Sequence, residues 1–172
     1  MLKMLRKIFK TGIITEAYAP TKDSQLEKVG DACKKIIAAK FNGSLAIRHV
    51  DAGSCNGCEL EIHALNNSFY NIEQFNIHFV ASPRHADLLL VTGPVARHME
   101  SALITTYEAT PDPKLVLAVG NCGAYGGEFG CTYASCGAVT NVIPVDGIIH
   151  GCPPTPLNLL QGILELLQQK GT

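Results

Sequence analysis

Short apolar runs alternate with longer amphipathic stretches from Gly43 to the end of the chain. The apolar runs predict strands at 45–50, 75–81, 88–92, 115–119 and 145–149. Apolar residues at helical spacing predict helices at 25–41, 59–70, 99–108 and 156–169. This alternation predicts an α/β fold, a flavodoxin-like doubly wound parallel sheet with helices on both faces. In such folds the functional crevice lies outside the carboxyl ends of the strands.

The chain divides, on this pattern, into an N-terminal amphipathic, helical segment at 1–42 and a single flavodoxin-like domain at 43–172. The first twenty residues place basic side chains among Leu, Ile, Phe and Met, at Lys3, Arg6, Lys7 and Lys10. Two interpretations are open for this stretch. It is a basic amphipathic helix at a membrane surface or against a partner, or it is a terminus that frays and packs locally.

Composition narrows the class of protein. The 172 residues suffice for one domain with a real core, and 47% of them are hydrophobic. A net charge of −1 gives no reason to expect nucleic acid as a partner. No stretch has the length and apolarity of a membrane-spanning helix, and no secretory signal is evident. Seven cysteines without an export signal favour metal ligation over a disulfide framework.

Four cysteines each follow a predicted strand closely: Cys55, Cys58, Cys122 and Cys152. Because the carboxyl ends of parallel strands meet at one edge of a sheet, their sulfurs are expected to converge. Glycines flank the first three, which lets the backbone approach closely. Proline follows Cys152, a pairing that recurs at iron–sulfur ligands. The sequence therefore predicts a metal site, with an iron–sulfur cluster as the leading candidate.

Three alternatives compete with a cluster. A lone Cys-x-x-Cys between strand and helix also suits a thiol–disulfide redox site, but that site does not require Cys122 and Cys152 in similar turns. Structural zinc also uses four thiolates, but it normally pairs two local Cys-x-x-Cys knuckles. Four unrelated buried cysteines would not need the glycine and proline context.

The remaining cysteines are predicted to lie outside the metal site. Cys33 belongs to the apolar stripe of a helix and is expected to be a buried thiol. Cys131 and Cys136 lie in a glycine-rich loop, where they form a labile disulfide, bind a second metal or line the loop. We favour the last, because four better-placed ligands already exist. The six histidines show no metal-ligand pattern.

With these motifs in view, the chain resembles the small-subunit family of [NiFe] hydrogenases, which the 20-kDa-type iron–sulfur subunit of complex I shares. The resemblance rests on five ordered motifs, at 11–16 (TGIITE), 53–58 (GSCNGC), 82–93 (SPRHADLLLVTG), 120–123 (GNCG) and 144–156. The Asn-Gly spacer between Cys55 and Cys58 is similar to the energy-converting, membrane-bound and formate hydrogenlyase types. The complex I type typically carries adjacent cysteines there.

The resemblance implies a function. Cys55, Cys58, Cys122 and Cys152 would hold one proximal [4Fe–4S] cluster, and the short C-terminus leaves no room for further clusters. The chain would be a non-autonomous electron-transfer subunit of an oxidoreductase. It would relay electrons between a NiFe site on a large subunit and a ferredoxin-like subunit. Membrane ion-translocating subunits would complete a complex on the cytoplasmic side of the membrane, with this chain peripheral.

Three further residues are candidates by resemblance. Glu59 and Glu61 follow the cysteine pair and are possible proton-coupling groups, or they simply favour the first turn of a helix. Arg84 is a possible interface residue, since its guanidinium can grip a carboxylate or carbonyl. The alternative function is a complex I-like subunit whose large-subunit partner lacks nickel. A structural zinc scaffold is a more distant alternative.

Overall fold

The computed structural model describes residues 1–12 and 23–169. Its strands are β1 Leu45–Asp51, β2 Ile77–Phe79, β3 Leu88–Thr92, β4 Val95–Ala96, β5 Leu115–Val119, β6 Ser135–Gly137 and β7 Gly147–Ile149. Five of them form one parallel sheet in the order β2-β1-β3-β5-β7, while β4 and β6 pair antiparallel. The large sheet therefore has the flavodoxin-like order, which confirms the predicted fold class.

Helices cover both faces of the sheet. They are α1 Leu2–Thr11, α2 Ser24–Lys40, α3 Gly57–Ala64, α4 Arg97–Ala109, α5 Gly120–Tyr125 and α6 Pro156–Gln169. Alternation along β3 divides the core, because successive side chains of a strand point to opposite faces. Leu88 and Leu90 pack with residues of α2, α3 and α6. Leu89 and Val91 pack with Leu103 of α4 on the other face.

Three predicted elements are shorter than their patterns indicate. The helix predicted at 59–70 ends at Ala64, since the Asn67 carboxamide oxygen accepts the Phe69 and Tyr70 backbone N–H groups and stabilises a turn. The strand predicted at 75–81 begins at Ile77, because the preceding residues form a 3₁₀ helix. The strand predicted at 145–149 begins at Gly147. The short elements α5, β4 and β6 were not predicted.

The N-terminal part of the chain is described up to Gly12. Residues Leu2–Thr11 form helix α1, and the choice between a membrane or partner helix and a locally packed terminus stays open. The rest of that stretch and most of the 11–16 motif lie outside the described residues. Helix α2 packs against α6, and its Cys33 is fully buried as predicted. The division at residue 42 stays a prediction. Within the described ranges, no helix is long and apolar enough to cross a membrane.

Candidate metal centre

The turn that carries Cys55 is fixed by the residue that ends β1. The Asp51 carboxylate accepts hydrogen bonds from the backbone N–H groups of Gly53 and Ser54, both at 2.9 Å. Next along the chain, the Asn56 N–H donates to Ser54 Oγ at 3.0 Å. These three bonds replace strand pairing at the point where the chain leaves the sheet. They place Cys55 directly before α3, which carries Cys58 in its first turn.

A buried carboxylate lies beside this turn. Glu59 is 5% exposed, and the Ser54 hydroxyl donates to its Oε2. Its Oε1 lies 3.7 Å from His49 Nε2, and the same imidazole nitrogen is 3.3 Å from Thr92 Oγ1. Burial lowers the pKa of His49 despite the opposing negative charge of Glu59. The imidazole is therefore mainly neutral at pH 7, and the buried Glu59 Oε1 beside it accepts no hydrogen bond.

The turns that carry Cys122 and Cys152 are joined through Asn121. Its backbone N–H donates to the Gly151 carbonyl at 2.8 Å. In return, the Gly151 N–H donates to the Asn121 side-chain oxygen at 3.0 Å. This reciprocal pair connects the end of β5 to the end of β7, thirty residues further along the chain. The two cysteines are therefore held in a fixed relation to each other.

The four candidate ligands lie close enough for their charges to affect one another's pKa values. Burial raises the pKa of Cys58 to about 12, and the negative charges of Glu59, Cys55, Cys122 and Cys152 add to the effect. The pKa of Cys122 is also raised, first by burial and then by Cys152 and Cys55. Four thiolates in one place repel each other unless a cation neutralises them. The chemistry of this donor set is that of a metal or cluster site.

Two glycines leave space for the sulfurs of these cysteines. A Cβ added to Gly120 would lie 2.8 Å from Cys58 Sγ and 3.4 Å from the Gly151 carbonyl oxygen. A Cβ added to Gly127 would lie 2.6 Å from Cys122 Sγ. Both glycines have a positive φ, which other residues rarely adopt. The donor set and this cradle fit an iron–sulfur cluster. Among the described residues, no group of three or more His, Cys, Asp or Glu side chains is arranged so that it could hold a metal ion.

The other three cysteines are separate from this centre. Burial raises the pKa of Cys33 to about 12, in the core between α2 and α6. Cys131 is exposed and is the antiparallel bridge partner of Cys136, whose thiol donates to Glu100 at 3.3 Å. Cys136 lies in the short strand β6 and is buried, so of the two only Cys131 is an exposed residue outside a strand or helix. That neither of them binds a metal stays a prediction.

The remaining candidates lie in two places. Glu61 is half-buried on α3, one turn from the cysteine pair. Arg84 is exposed in a 3₁₀ helix that precedes β3. This helix is at the amino end of the strand, so Arg84 is at the opposite edge of the sheet from the cysteines. Any contact that it makes with a partner is consequently remote from them.

Large apolar side chains are exposed on the segments that carry the candidate ligands. Leu60 follows Cys58 on α3 and is 61% exposed. Tyr125, Phe129 and Tyr133 lie on the segment after Cys122, and Tyr133 is 99% exposed. Large exposed apolar and aromatic side chains are typical of protein–protein interfaces.

Sequence reasoning did not identify Asp51, Asn121 or His49 as residues of the site. The run Asp51-Ala52-Gly53 signals a turn, but the sequence does not show that the Asp51 carboxylate fixes it. The role of Asn121 depends on a partner thirty residues away, and that of His49 on the packing of α3 over β1. Neither relation leaves a local pattern in the sequence.

Together, fold and site define a class of protein: an α/β subunit with four cysteines at the carboxyl edge of a parallel sheet. The chain belongs to the family described as NADH ubiquinone oxidoreductase, 20 kDa subunit, whose profile matches residues 55–166. This is the family that complex I and hydrogenase small subunits share, so the chain is a subunit of an oxidoreductase complex and does not act as an enzyme alone.

Individual proteins that are similar to this chain include hydrogenase subunits. Formate hydrogenlyase subunit 7 of Escherichia coli (strain K12) is 44% identical over 140 residues, which cover 80% of this chain but 55% of that protein. A probable membrane-bound hydrogenase subunit, mbhJ of Pyrococcus furiosus, is 44% identical over 146 residues, covering 84% of each chain. A chain in the structure of the membrane-bound sulfane sulfur reductase, an archaeal respiratory membrane complex, superposes with a TM-score of 0.65 at 36% identity. That match covers 86% of this chain and 76% of the other.

Proposed function

We propose that this chain is the electron-transfer small subunit of a membrane-bound [NiFe] hydrogenase. Cys55, Cys58, Cys122 and Cys152 would hold one [4Fe–4S] cluster, which when bound supplies a one-electron donor and acceptor. The observation that carries the proposal is the convergence of three turns on one place. From the position of Gly120, both the Cys58 sulfur and the carbonyl before Cys152 are within contact distance of an added Cβ.

The partners follow from the same site. A large subunit with a NiFe centre would cover the apolar side chains near the cysteines, Leu60, Tyr125, Phe129 and Tyr133. A ferredoxin-like subunit would continue the electron path, and ion-translocating subunits would complete a complex. The chain would then be peripheral, on the cytoplasmic side of the membrane. Arg84, at the opposite edge of the sheet, would contact a different partner surface.

Two carboxylates are candidates for coupling proton movement to electron transfer. Glu59 is the better placed, since it is buried beside Cys58 and contacts Ser54 and His49. Glu61 is more exposed. Independently of any proton, Glu59 positions the turn before Cys55 by accepting the Ser54 hydroxyl.

A second candidate function is a subunit of a related respiratory complex whose large subunit lacks nickel. Similarity to the chain of the sulfane sulfur reductase complex favours it. The sequence of the large subunit separates the two, because paired Cys-x-x-Cys motifs at both of its ends indicate nickel. A structural zinc scaffold remains the third alternative and is tested by metal analysis.

Purification of the intact complex through a tag on this chain tests the proposal. We expect nickel in the purified complex and hydrogen-dependent reduction of a viologen dye. The Cys122→Ser variant is expected to lose dye reduction, because electrons would no longer leave the large subunit by this route. An assembled complex that contains no nickel would contradict the hydrogenase assignment and support the related respiratory complex.

A further inference from the structure

Helix α1 separates its residues into two faces. Its apolar side chains occupy one side and its cations the other, because residues three and four positions apart share a helical face. The apolar side consists of Met1, Leu2, Met4, Leu5, Ile8 and Phe9. The basic side consists of Lys3, Arg6, Lys7 and Lys10. No acidic residue interrupts either face.

The apolar face of α1 is uncovered. Leu2 is 78% exposed, Met4 72%, Ile8 62% and Phe9 85%, and the helix has no buried residue. Core helices of this chain differ, since α2 and α6 each bury several side chains. Exposure of such an apolar face to water is unfavourable. A partner or surface that covers the face would therefore stabilise the helix.

Charge indicates what that occupant is. Four of the chain's fourteen basic residues lie in α1, and none of its fifteen acidic residues does. The rest of the chain consequently carries ten basic and fifteen acidic residues. An anionic surface would attract α1 and repel the remainder of the protein. A protein groove would cover the apolar face but would not account for four cations on the opposite side.

Length determines how the helix would lie. Ten residues at about 1.5 Å each give about 15 Å, and the hydrocarbon core of a bilayer is about 30 Å thick. The helix is therefore too short to span a membrane. A helix with one basic and one apolar face lies in the interface plane, with the apolar face at the headgroup–acyl boundary.

We propose that α1 binds the surface of a bilayer that contains anionic lipids. Leu5, Ile8 and Phe9 enter the boundary between headgroups and acyl chains, while the lysines and Arg6 contact lipid phosphates. The inference deepens the peripheral placement proposed above. Vesicle binding can fail while the metal content stands, so failure of the two proposals is distinguishable.

Vesicle binding of the full chain tests the proposal. The chain contains no tryptophan, so a Phe9→Trp variant gives a single fluorescent reporter on the apolar face. We expect this variant to sediment with vesicles of phosphatidylglycerol and phosphatidylcholine and its emission to shift to shorter wavelength. Binding to pure phosphatidylcholine vesicles is expected to be weaker. High salt is expected to reduce binding to the anionic vesicles.

Charge reversal with a matched control gives the sharper result. Each cation near an anionic surface contributes about a fivefold increase in partitioning, so Lys3→Glu with Lys7→Glu is expected to weaken binding at least about 25-fold. Lys28→Glu with Lys35→Glu on α2 makes the same change in net charge on exposed positions. This control pair is expected to bind nearly as the parent chain does.

Three results would overturn the proposal. The first is no binding of the full chain to anionic vesicles. The second is equal binding to anionic and phosphatidylcholine vesicles, and the third is an equal loss in the α1 and α2 variants. If vesicles do not bind but the α1 variants prevent assembly of the complex, a protein partner covers the helix instead. Because α1 has no buried residue, these substitutions are not expected to disturb the fold.

Discussion

Gly120 stands so close to Cys58 that a methyl group on its α-carbon would lie 2.8 Å from the Cys58 sulfur. The two residues belong to different turns, one after β5 and one after β1. Their proximity means that the turn after β1 and the turn after β5 pack directly against each other. The absence of a side chain at Gly120 is therefore a requirement of the site as well as of the backbone.

Replacing Gly120 with alanine is expected to remove most of the bound metal. The new methyl group would displace the Cys58 sulfur, and the φ of +77° adds backbone strain. Gly43→Ala is the control, since Gly43 has a φ of +93° but nothing within 4 Å of its added Cβ. We expect Gly43→Ala to cost about 1–2 kcal/mol of stability and to keep its metal. Equal metal loss in both variants would show that strain, not crowding at the sulfur, is responsible.

Gly127 and Gly130 provide a second matched pair in one loop. Both have a φ of +57°. A Cβ added to Gly127 would lie 2.6 Å from Cys122 Sγ, whereas a Cβ added to Gly130 would have no atom within 4 Å. Gly127→Ala is expected to lower the metal content per chain, while Gly130→Ala retains that of the parent. The metal content per chain of the two purified variants tests this prediction. Retention of full metal content by Gly127→Ala would contradict the position assigned to Cys122.

Asn121→Ala is expected to loosen the Cys122 and Cys152 turns. The part-buried Gly151 N–H would lose its acceptor, which costs about 1 kcal/mol. Asn121→Asp retains an oxygen at the accepting position and is expected to restore most of the stability. Thermal unfolding and metal release to a chelator measure the two effects. If alanine and aspartate behave alike, the hydrogen bond does not hold the turns together.

Cys33→Ser is expected to retain the metal of the parent chain, whereas Cys58→Ser loses it. The Cys33 pKa of about 12 means that this group is a neutral thiol at pH 7, because thiolate forms only as the pH approaches the pKa. The native protein is accordingly expected to protect Cys33 from iodoacetamide at pH 7 to 8. Serine there buries a hydroxyl and lowers stability by about 1–3 kcal/mol. Equal metal loss in the two variants would refute the ligand assignment.

The fold and the four candidate ligands were accessible from sequence for a common physical reason. Buried parallel strands are continuous apolar runs, and β3 and β5 match their predicted bounds at 88–92 and 115–119. The four cysteines come directly after such runs. Their location at the carboxyl ends of the strands is therefore predictable from the topology of a parallel sheet. Contacts between turns that are far apart in the chain could not be predicted from the sequence. Asn121 with Gly151 and His49 with Glu59 depend on how the turns pack, which no local period encodes.

A side chain that hydrogen-bonds to nearby backbone explains the error in the length of the helix predicted at 59–70. Asn67 offers its side chain to two backbone N–H groups and ends the stretch that apolar spacing alone continued to residue 70. At the N-terminus the sequence left two interpretations open. Helix α1 forms there without any buried residue.

Metal analysis of the full chain, purified without oxygen, tests the central claim most directly. Iron, acid-labile sulfide and zinc are measured per chain, and the reduced protein is examined by electron paramagnetic resonance. The account predicts about four irons and as many sulfides per chain, with the signal of a reduced [4Fe–4S] cluster. Zinc without iron, or a colourless protein with neither, would contradict it.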